Sequence, residues 1–228
     1  MMNTINYDSI LNPTCIVQYE LGNLKNFIYL VVCRKTKDCF LVDTQTPLSK
    51  ITQEIKKNGL RLQGLLLTHS HHDHVAGLSE LMSEYPSLPI FIHPLETHRI
   101  TKKTPQFTKN FVLLKDQQVL QLGLLSIKIL HTPGHTAGEC CFYIEENRSR
   151  YLLSGDTLFI RDCGRTDLDT GNNTQMFESL QKLKKLEENT LIFPGHHYVQ
   201  ELHSTLKEEL IHNAPLKCKT VEELSKLP

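Results

Sequence analysis

The chain carries no net charge: 25 Lys and Arg balance 25 Asp and Glu across 228 residues. Without a basic surplus there is no electrostatic case for a nucleic-acid partner or an anionic membrane surface. Long apolar runs are missing too. The longest early one, Phe27 to Cys33, falls far short of the about 20 residues that span a bilayer. No basic segment precedes it, which argues against a secretory leader. There is no C-x-x-C pair, and the seven cysteines are an odd number, so a disulfide framework is not expected. All seven read as reduced thiols, which implies a cytoplasmic or similarly reducing compartment. Neither a G-x-S-x-G elbow nor a P-loop occurs, which leaves a serine hydrolase or an NTPase without support. Low-complexity stretches and linkers are absent as well. Residues 1–228 read as a single domain with a short C-terminal tail at about 199–228.

Histidine, by contrast, is plentiful, and it is clustered. Thr68-His69-Ser70-His71-His72-Asp73-His74 reads H-x-H-x-D-H directly after the apolar run Leu65-Leu66-Leu67. Neutral imidazoles and a carboxylate are donors that suit Zn, Fe or Mn. Three later segments repeat the arrangement with one donor each. They are Thr132-Pro133-Gly134-His135-Thr136, Ser154-Gly155-Asp156-Thr157 and Phe193-Pro194-Gly195-His196. Each follows an apolar run (Leu124 to Leu130, Tyr151 to Leu153, Leu191 to Phe193). Strand ends that deliver donors to one edge of a sheet produce this pattern, and they hold donors more rigidly than free loops do.

Element signals support that reading. Strands are expected at Cys15 to Leu21, Asn26 to Cys33, Cys39 to Val42, Leu62 to Leu67 and Pro89 to Ile92. Leu48, Ile51 and Ile55 recur at helical spacing and stop at Asn58-Gly59. Val75, Leu78, Leu81 and Met82 predict one helix that starts at the H-x-H-x-D-H motif. Ile100 to Lys109, with three Lys and few apolar residues, reads as a surface loop near the site. Phe111 to Lys128 reads as hairpin-like strands. Met176, Phe177, Leu180, Leu183 and Leu186 form an amphipathic stripe, which is core packing. This order fits two sheets packed face to face, with helices covering the outer faces.

At this point the chain resembles the metallo-β-lactamase superfamily, from about residue 15 onward, with all its ligand motifs in order. The resemblance is strongest to the glyoxalase II and persulfide dioxygenase branch. Gly155-Asp156-Thr157-Leu158-Phe159 followed by Cys163-Gly164-Arg165-Thr166-Asp167 carries it. Pro194-Gly195-His196-His197-Tyr198, then Ser204-Thr205-Leu206, Glu208 and Asn213, resembles small bacterial members, some of which accompany polyketide synthases. The fold implied is α/β, a four-layer αββα sandwich of two mixed β-sheets with outer helices. The resemblance further implies two divalent metal ions, with Zn first and Fe or Mn as alternatives. His69, His71 and His135 would hold one and Asp73, His74 and His196 the other, with Asp156 bridging. Asp73 and Asp156 are the catalytic carboxylates. Two metals about 3.5–4 Å apart share a hydroxide and lower its pKa toward about 7.

The activity implied is hydrolysis of a small-molecule or carrier-bound acyl thioester by that metal-bound hydroxide, with glutathione, CoA or a carrier-protein pantetheine as the thiol. No membrane or nucleic-acid partner is implied, and the oligomeric state stays open. In glyoxalase II a Lys after the Cys-Gly and a Tyr after the last His contact the thiol carrier; Arg165 and Tyr198 stand there in this chain. An ion pair from Arg165 to Asp167 or Asp169 that fixes the loop is an equal reading. The family's glutathione-binding extension has no full counterpart in the roughly thirty residues after His196. The alternative activity is a mononuclear Fe(II) persulfide dioxygenase acting on glutathione persulfide, with iron held by His69, His135 and Asp156. A non-catalytic metal-binding scaffold would show a missing ligand, and none is missing. Asp43 and Thr68 are expected to support ligand imidazoles. His72 and His197 flank ligands without joining them. Cys163 is either a reactive thiol or a packing residue.

Overall fold

The computed structural model describes residues 15–227. Residues 1–14, on which part of the expectation about a leader rests, lie outside them. Six strands form one mixed sheet in chain order: β1 Ile16–Leu21, β2 Asn26–Cys33, β3 Asp38–Val42, β4 Arg61–Leu66, β5 Ile90–Ile92 and β6 Phe111–Leu113. β1, β2 and β3 are antiparallel, and β3 through β6 run parallel. β2 is buried at all its positions, as an apolar strand covered on both faces must be. The second sheet has the order β12-β11-β10-β9-β8-β7. Its strands are β7 Val119–Leu122, β8 Leu125–His131, β9 Cys140–Glu146, β10 Ser149–Gly155, β11 Leu191–Pro194 and β12 Ser204–Thr205. β10 and β11 are parallel, while β9 and β12 pair antiparallel to their neighbours β10 and β11.

The helices are α1 Ser49–Lys57, α2 His72–Val75, α3 Leu78–Glu84, α4 Thr97–Lys103, α5 Asn173–Leu183, α6 Leu206–His212, α7 Ala214–Lys217 and α8 Val221–Leu224. α1 ends where its sequence says it should. Gly59, at φ +61°, takes the left-handed position. Gly59 N–H then reaches Lys56 O, and Leu60 N–H reaches Ile55 O, the two bonds that close a helix of this kind. α5 starts at Asn172, whose side chain accepts from Gln175 N–H.

Contacts divide the chain into two compact units. One holds the described residues up to Leu114 with Leu120–Ser126; the other holds Lys115–Val119 and the described residues from Ile127 on. The first unit has a core built on residues such as Ile28, Leu30, Leu41, Ile51, Leu65 and Leu81. The second has its own, including Leu152, Leu158, Met176, Leu180, Ile192 and Leu206. In each unit the parallel strands bring their carboxyl ends to one edge, the place where open α/β sheets bind ligands.

Three expectations change. The helix after the histidine motif is two helices, α2 and α3. Thr44 N–H and Thr44 Oγ1 both donate to His74 O, which draws that carbonyl out of a helical ladder. Gly77 then lies so close to Leu48 that a Cβ would crowd it. The Lys-rich segment is not a loop. It forms the end of α4 and a 3-10 turn, Pro105–Asn110, and α4 is anchored by a single buried residue, Ile100. β6 does not form a hairpin with β7; it pairs with β5 in the first sheet. Residues 199–227 contain β12 and three helices, and bury Leu206, Leu216 and Leu224.

Candidate functional site

In the first unit the turn after β4 carries His69, His71, Asp73 and His74, and the turn after β3 carries Asp43. Because β3 and β4 are parallel neighbours, the two turns leave the sheet side by side. Asp43 is buried and adopts φ +58°, a backbone state that Asp and Asn tolerate better than other side chains. Its Oδ1 accepts from Thr68 N–H at 2.9 Å, and its Oδ2 accepts from Thr68 Oγ1 at 2.8 Å. Oδ2 also faces His74 Nδ1 at 2.9 Å. With a carboxylate on that side, Nδ1 carries the ring proton and Nε2 is left bare.

The same carboxylate acts on His69 at one remove. Thr68 Oγ1 spends its only proton on Asp43, so toward His69 Nδ1, 3.0 Å away, it can only accept. His69 therefore also presents a bare Nε2. That Nε2 lies 3.1 Å from His71 Nδ1. Two bare nitrogens repel at this distance, so the gap suits a shared proton or a cation bound by both. Asp73 receives a hydrogen bond from Asn26 Nδ2 at 2.8 Å, and its main-chain oxygen one from Gln45 Nε2 at 3.0 Å. Asp73 Oδ2 is 3.5 Å from His74 Nε2. Glu96, beyond β5, takes the N–H and hydroxyl of Ser70 and pins the turn between His69 and His71.

In the second unit Asp156 follows β10 and His196 follows β11, again parallel neighbours. His135 Nε2 and His196 Nε2 lie 3.5 and 3.3 Å from Asp156 Oδ2. His135 Nδ1 donates to Arg165 O at 2.7 Å, which frees Nε2 for a ligand. Asp156 N–H donates to buried Glu139 Oε1 at 2.9 Å. The glycines of these turns are packing requirements. A Cβ at Gly195 would occupy the place of the Asp156 carboxylate, and one at Gly164 would strike Asp156 O. The loop after Asp156 is held from the C-terminal segment. Buried Glu209 takes Arg161 N–H at 2.7 Å and pairs with the Arg161 guanidinium, while Asn213 Nδ2 donates to Phe159 O and Asp162 O.

All seven expected donors thus sit on the turns the motifs named. His71 is half-buried and the other six are buried. His72 is exposed and His197 half-buried. Tyr198 is 59% exposed and stacks flat on His196, with ring centroids 4.8 Å apart and 8° between planes. The Arg165 fork holds both oxygens of Asp167 at 2.6 Å, and this bond keeps the Asp167 carboxyl below its usual range. Cys163 is partly buried and packs against the core of the second unit, and burial pushes its thiol up to about 12. All seven cysteines are free thiols. Sequence reasoning missed Asn26, Gln45, Glu96 and Glu139. Asn26 had a signal, a lone polar residue opening the run Phe27 to Cys33; the others had none.

What this donor set can do depends on the ring protons. His69, His74 and His135 are each fixed so that Nε2 faces inward as a lone pair, the state in which imidazole binds a cation. Nitrogen and carboxylate donors fit a divalent ion of the Zn, Fe or Mn kind. Comparison with known proteins agrees. Residues 21–196 match the Metallo-beta-lactamase superfamily, and the chain belongs to it. A probable hydroxyacylglutathione hydrolase of Schizosaccharomyces pombe is 33% identical over 183 residues, 78% of this chain and 66% of that protein. The chain spans 57–66% of the length of the first curated relatives it matches. Among solved structures, a metallo-beta-lactamase from Staphylococcus aureus superposes with a TM-score of 0.81 at 25% identity, covering 93% of this chain and 67% of that one. ETHE1 from Myxococcus xanthus gives 0.77 at 24% identity, covering 93% and 92%. The fold is therefore the expected α/β sandwich class, two mixed sheets flanked by helices. Among the described residues no helix is long and apolar enough to cross a membrane.

Proposed function

We propose that this chain is a metal-dependent hydrolase of acyl thioesters, glyoxalase II-like in mechanism. The observation that carries the reading is what faces each imidazole Nδ1: Asp43 at His74, Thr68 at His69 and the Arg165 carbonyl at His135, an arrangement that leaves Nε2 of each ring to act as a lone pair. The similarity to hydroxyacylglutathione hydrolases supports the choice of a thioester. His69, His71 and His135 would hold one divalent ion, Asp73, His74 and His196 a second, and Asp156 would bridge them. Zn is the first expectation, with Fe or Mn as alternatives. Bound there, such ions would supply acidification of a water and polarisation of a carbonyl.

The protein's own contribution is positional. Asp43 fixes two imidazoles at once, Asn26 and Gln45 hold Asp73 and its backbone, and Glu139 sets the Asp156 turn. No side chain needs to act as a strong acid, because a thiolate leaves without protonation. Arg165 and Tyr198 would contact the thiol carrier: one offers a planar cation, the other a donor on a flat face. Seven free thiols suit a reducing compartment, and we assign the chain to the cytoplasm. Purified protein loaded with Zn, Mn or Fe should release free thiol from an acyl thioester without consuming oxygen. Oxygen uptake with glutathione persulfide, and no thioester turnover, would overturn the assignment in favour of an Fe(II) dioxygenase.

A further inference from the structure

The turn after β4, which carries His69, His71, Asp73 and His74, has a strand end on either side. β3 and β5 both pair with β4 in parallel, so the turns that follow all three leave the sheet together. Each flanking turn supplies one buried carboxylate. Asp43 follows β3, and Glu96 closes the 3-10 turn Pro94–Glu96 after β5. Both lie with the histidine turn in the first unit. Asp43 acts on ring protons, through His74 Nδ1 and through Thr68. Glu96 acts on the main chain. Its Oε2 accepts from Ser70 N–H at 2.9 Å and from the Ser70 hydroxyl. A carboxylate is a stronger acceptor than a neutral oxygen, and two bonds to one residue limit its rotation as well as its place.

Ser70 is the only residue between His69 and His71. His69 is steadied at its ring by Thr68 Oγ1. His71 is half-buried where the other six expected donors are buried, so packing restrains it less. Its main chain is held on both sides: His71 O accepts from His74 N–H at 3.0 Å, and Ser70 is tied to Glu96. The outcome is two rings with 86° between planes and centroids 4.7 Å apart, and His69 Nε2 lies 3.1 Å from His71 Nδ1. Donors meant for one ion must be held to within about 0.5 Å. We propose that Glu96 is a positioning residue, which sets His71 against His69 so that the two imidazoles converge on one ion. The inference rests on the metal-binding part of the proposed function and needs nothing of its substrate. The two flanking carboxylates then have separate tasks. Asp43 fixes which nitrogen carries a proton, and Glu96 fixes where the next imidazole stands. An ion at Asp73, His74 and His196 is spared, because Asn26, Gln45 and Asp43 hold its first-unit donors.

The experiment titrates Zn into the full chain after metal removal, in competition with a chromogenic chelator, and reads the Kd of each ion. The visible spectrum of bound Co(II) reports donor geometry in parallel. Three variants join the wild type. Ser70→Ala removes one of the two bonds and leaves Glu96 with its other contacts. Glu96→Gln keeps an acceptor oxygen for Ser70, and Glu96→Ala removes both bonds. Glu96→Ala should weaken one ion about 10–100-fold and alter the Co(II) spectrum, while the second ion moves far less. Ser70→Ala should weaken the same ion about threefold or more. Glu96→Gln should restore most of the affinity and the wild-type spectrum. A Glu96 that serves stability alone would lower the apo Tm and leave both affinities and the spectrum unaltered, or weaken both ions alike; either result overturns the inference. If Glu96→Ala does not fold, Ser70→Ala decides, and an unchanged Kd and spectrum in that variant overturn it. Wild-type protein that binds no ion overturns the metal reading itself. Wild-type protein that binds ions, with variants that bind them equally well, overturns the role of Glu96 alone.

Discussion

Asp43→Asn tests the central physical claim, that one buried carboxylate fixes the protons on two of the imidazoles proposed to hold metal. The substitution is isosteric, and Asn tolerates the left-handed backbone that position 43 adopts at φ +58°. It swaps two acceptors for one acceptor and one donor. Either orientation of the amide breaks something. With its oxygen toward Thr68 Oγ1 and His74 Nδ1, its NH2 faces Thr68 N–H, and a buried hydrogen bond of 2.9 Å is lost. A stranded buried donor costs about 1–3 kcal/mol. With the amide reversed, NH2 points at His74 Nδ1, and the ring must move its proton to Nε2, the nitrogen needed for metal. Partners of this kind typically contribute about 10–100-fold to metal affinity, or about 1.4–2.7 kcal/mol. The variant should therefore fold, with an apo Tm lowered by about 2–4 °C per kcal/mol lost. Its metal Kd, measured by competition with a chromogenic chelator, should rise about 10–100-fold. An Asp43→Asn variant matching wild type in both Tm and Kd would refute the tautomer argument, because no orientation of the amide preserves every bond.

Four further outcomes follow from the same structure. Asp156→Ala removes the carboxylate that faces both His135 and His196, so on the two-ion proposal metal per chain, read by elemental analysis, should fall to fewer than one; retention of the wild-type content would exclude a bridging role. Glu209→Ala removes the buried acceptor of Arg161 N–H and of Asn213 Nδ2 and loosens the loop after Asp156; thermal unfolding should report a loss of about 1–3 kcal/mol, and an unchanged unfolding midpoint would show that the contact holds nothing. The Cys163 thiol, pushed up to about 12 by burial, should resist alkylation at pH 8 in the folded protein and react once denatured; rapid modification of Cys163 in the native state, located by mass spectrometry, would contradict this. Arg165→Ala and Tyr198→Phe should raise KM for the accepted thioester more than they lower kcat, with metal content unchanged; an unaltered KM in both would remove these residues from the carrier contact.

Much of this was legible in the sequence because it is local. The donor motifs announce themselves by spacing, and the apolar runs before them mark the strands whose ends they occupy. The stop of α1 at Asn58-Gly59 was readable for the same reason, since a left-handed glycine closes a helix by bonds to residues a few positions back. Even Asp43 was visible as a carboxylate at the end of an apolar strand. What the sequence left undecided depends on neighbours distant along the chain. The break between α2 and α3 comes from Thr44, thirty positions before the carbonyl it draws away. The helix at Thr97–Lys103 rests on the burial of Ile100 alone, a signal too weak to outweigh its polar surroundings. Arg165 had two readings of equal standing, and the fork it forms with Asp167 is visible only in the folded loop. Ring protons were the furthest from view. Which nitrogen of His74 or His69 carries the proton is set by Asp43 and Thr68, and these reach the ligand turn because β3 and β4 lie parallel and adjacent. Sequence names the donors; parallel strand pairing, by putting one turn's acceptors beside another turn's imidazoles, decides which lone pairs are left for the proposed metal site.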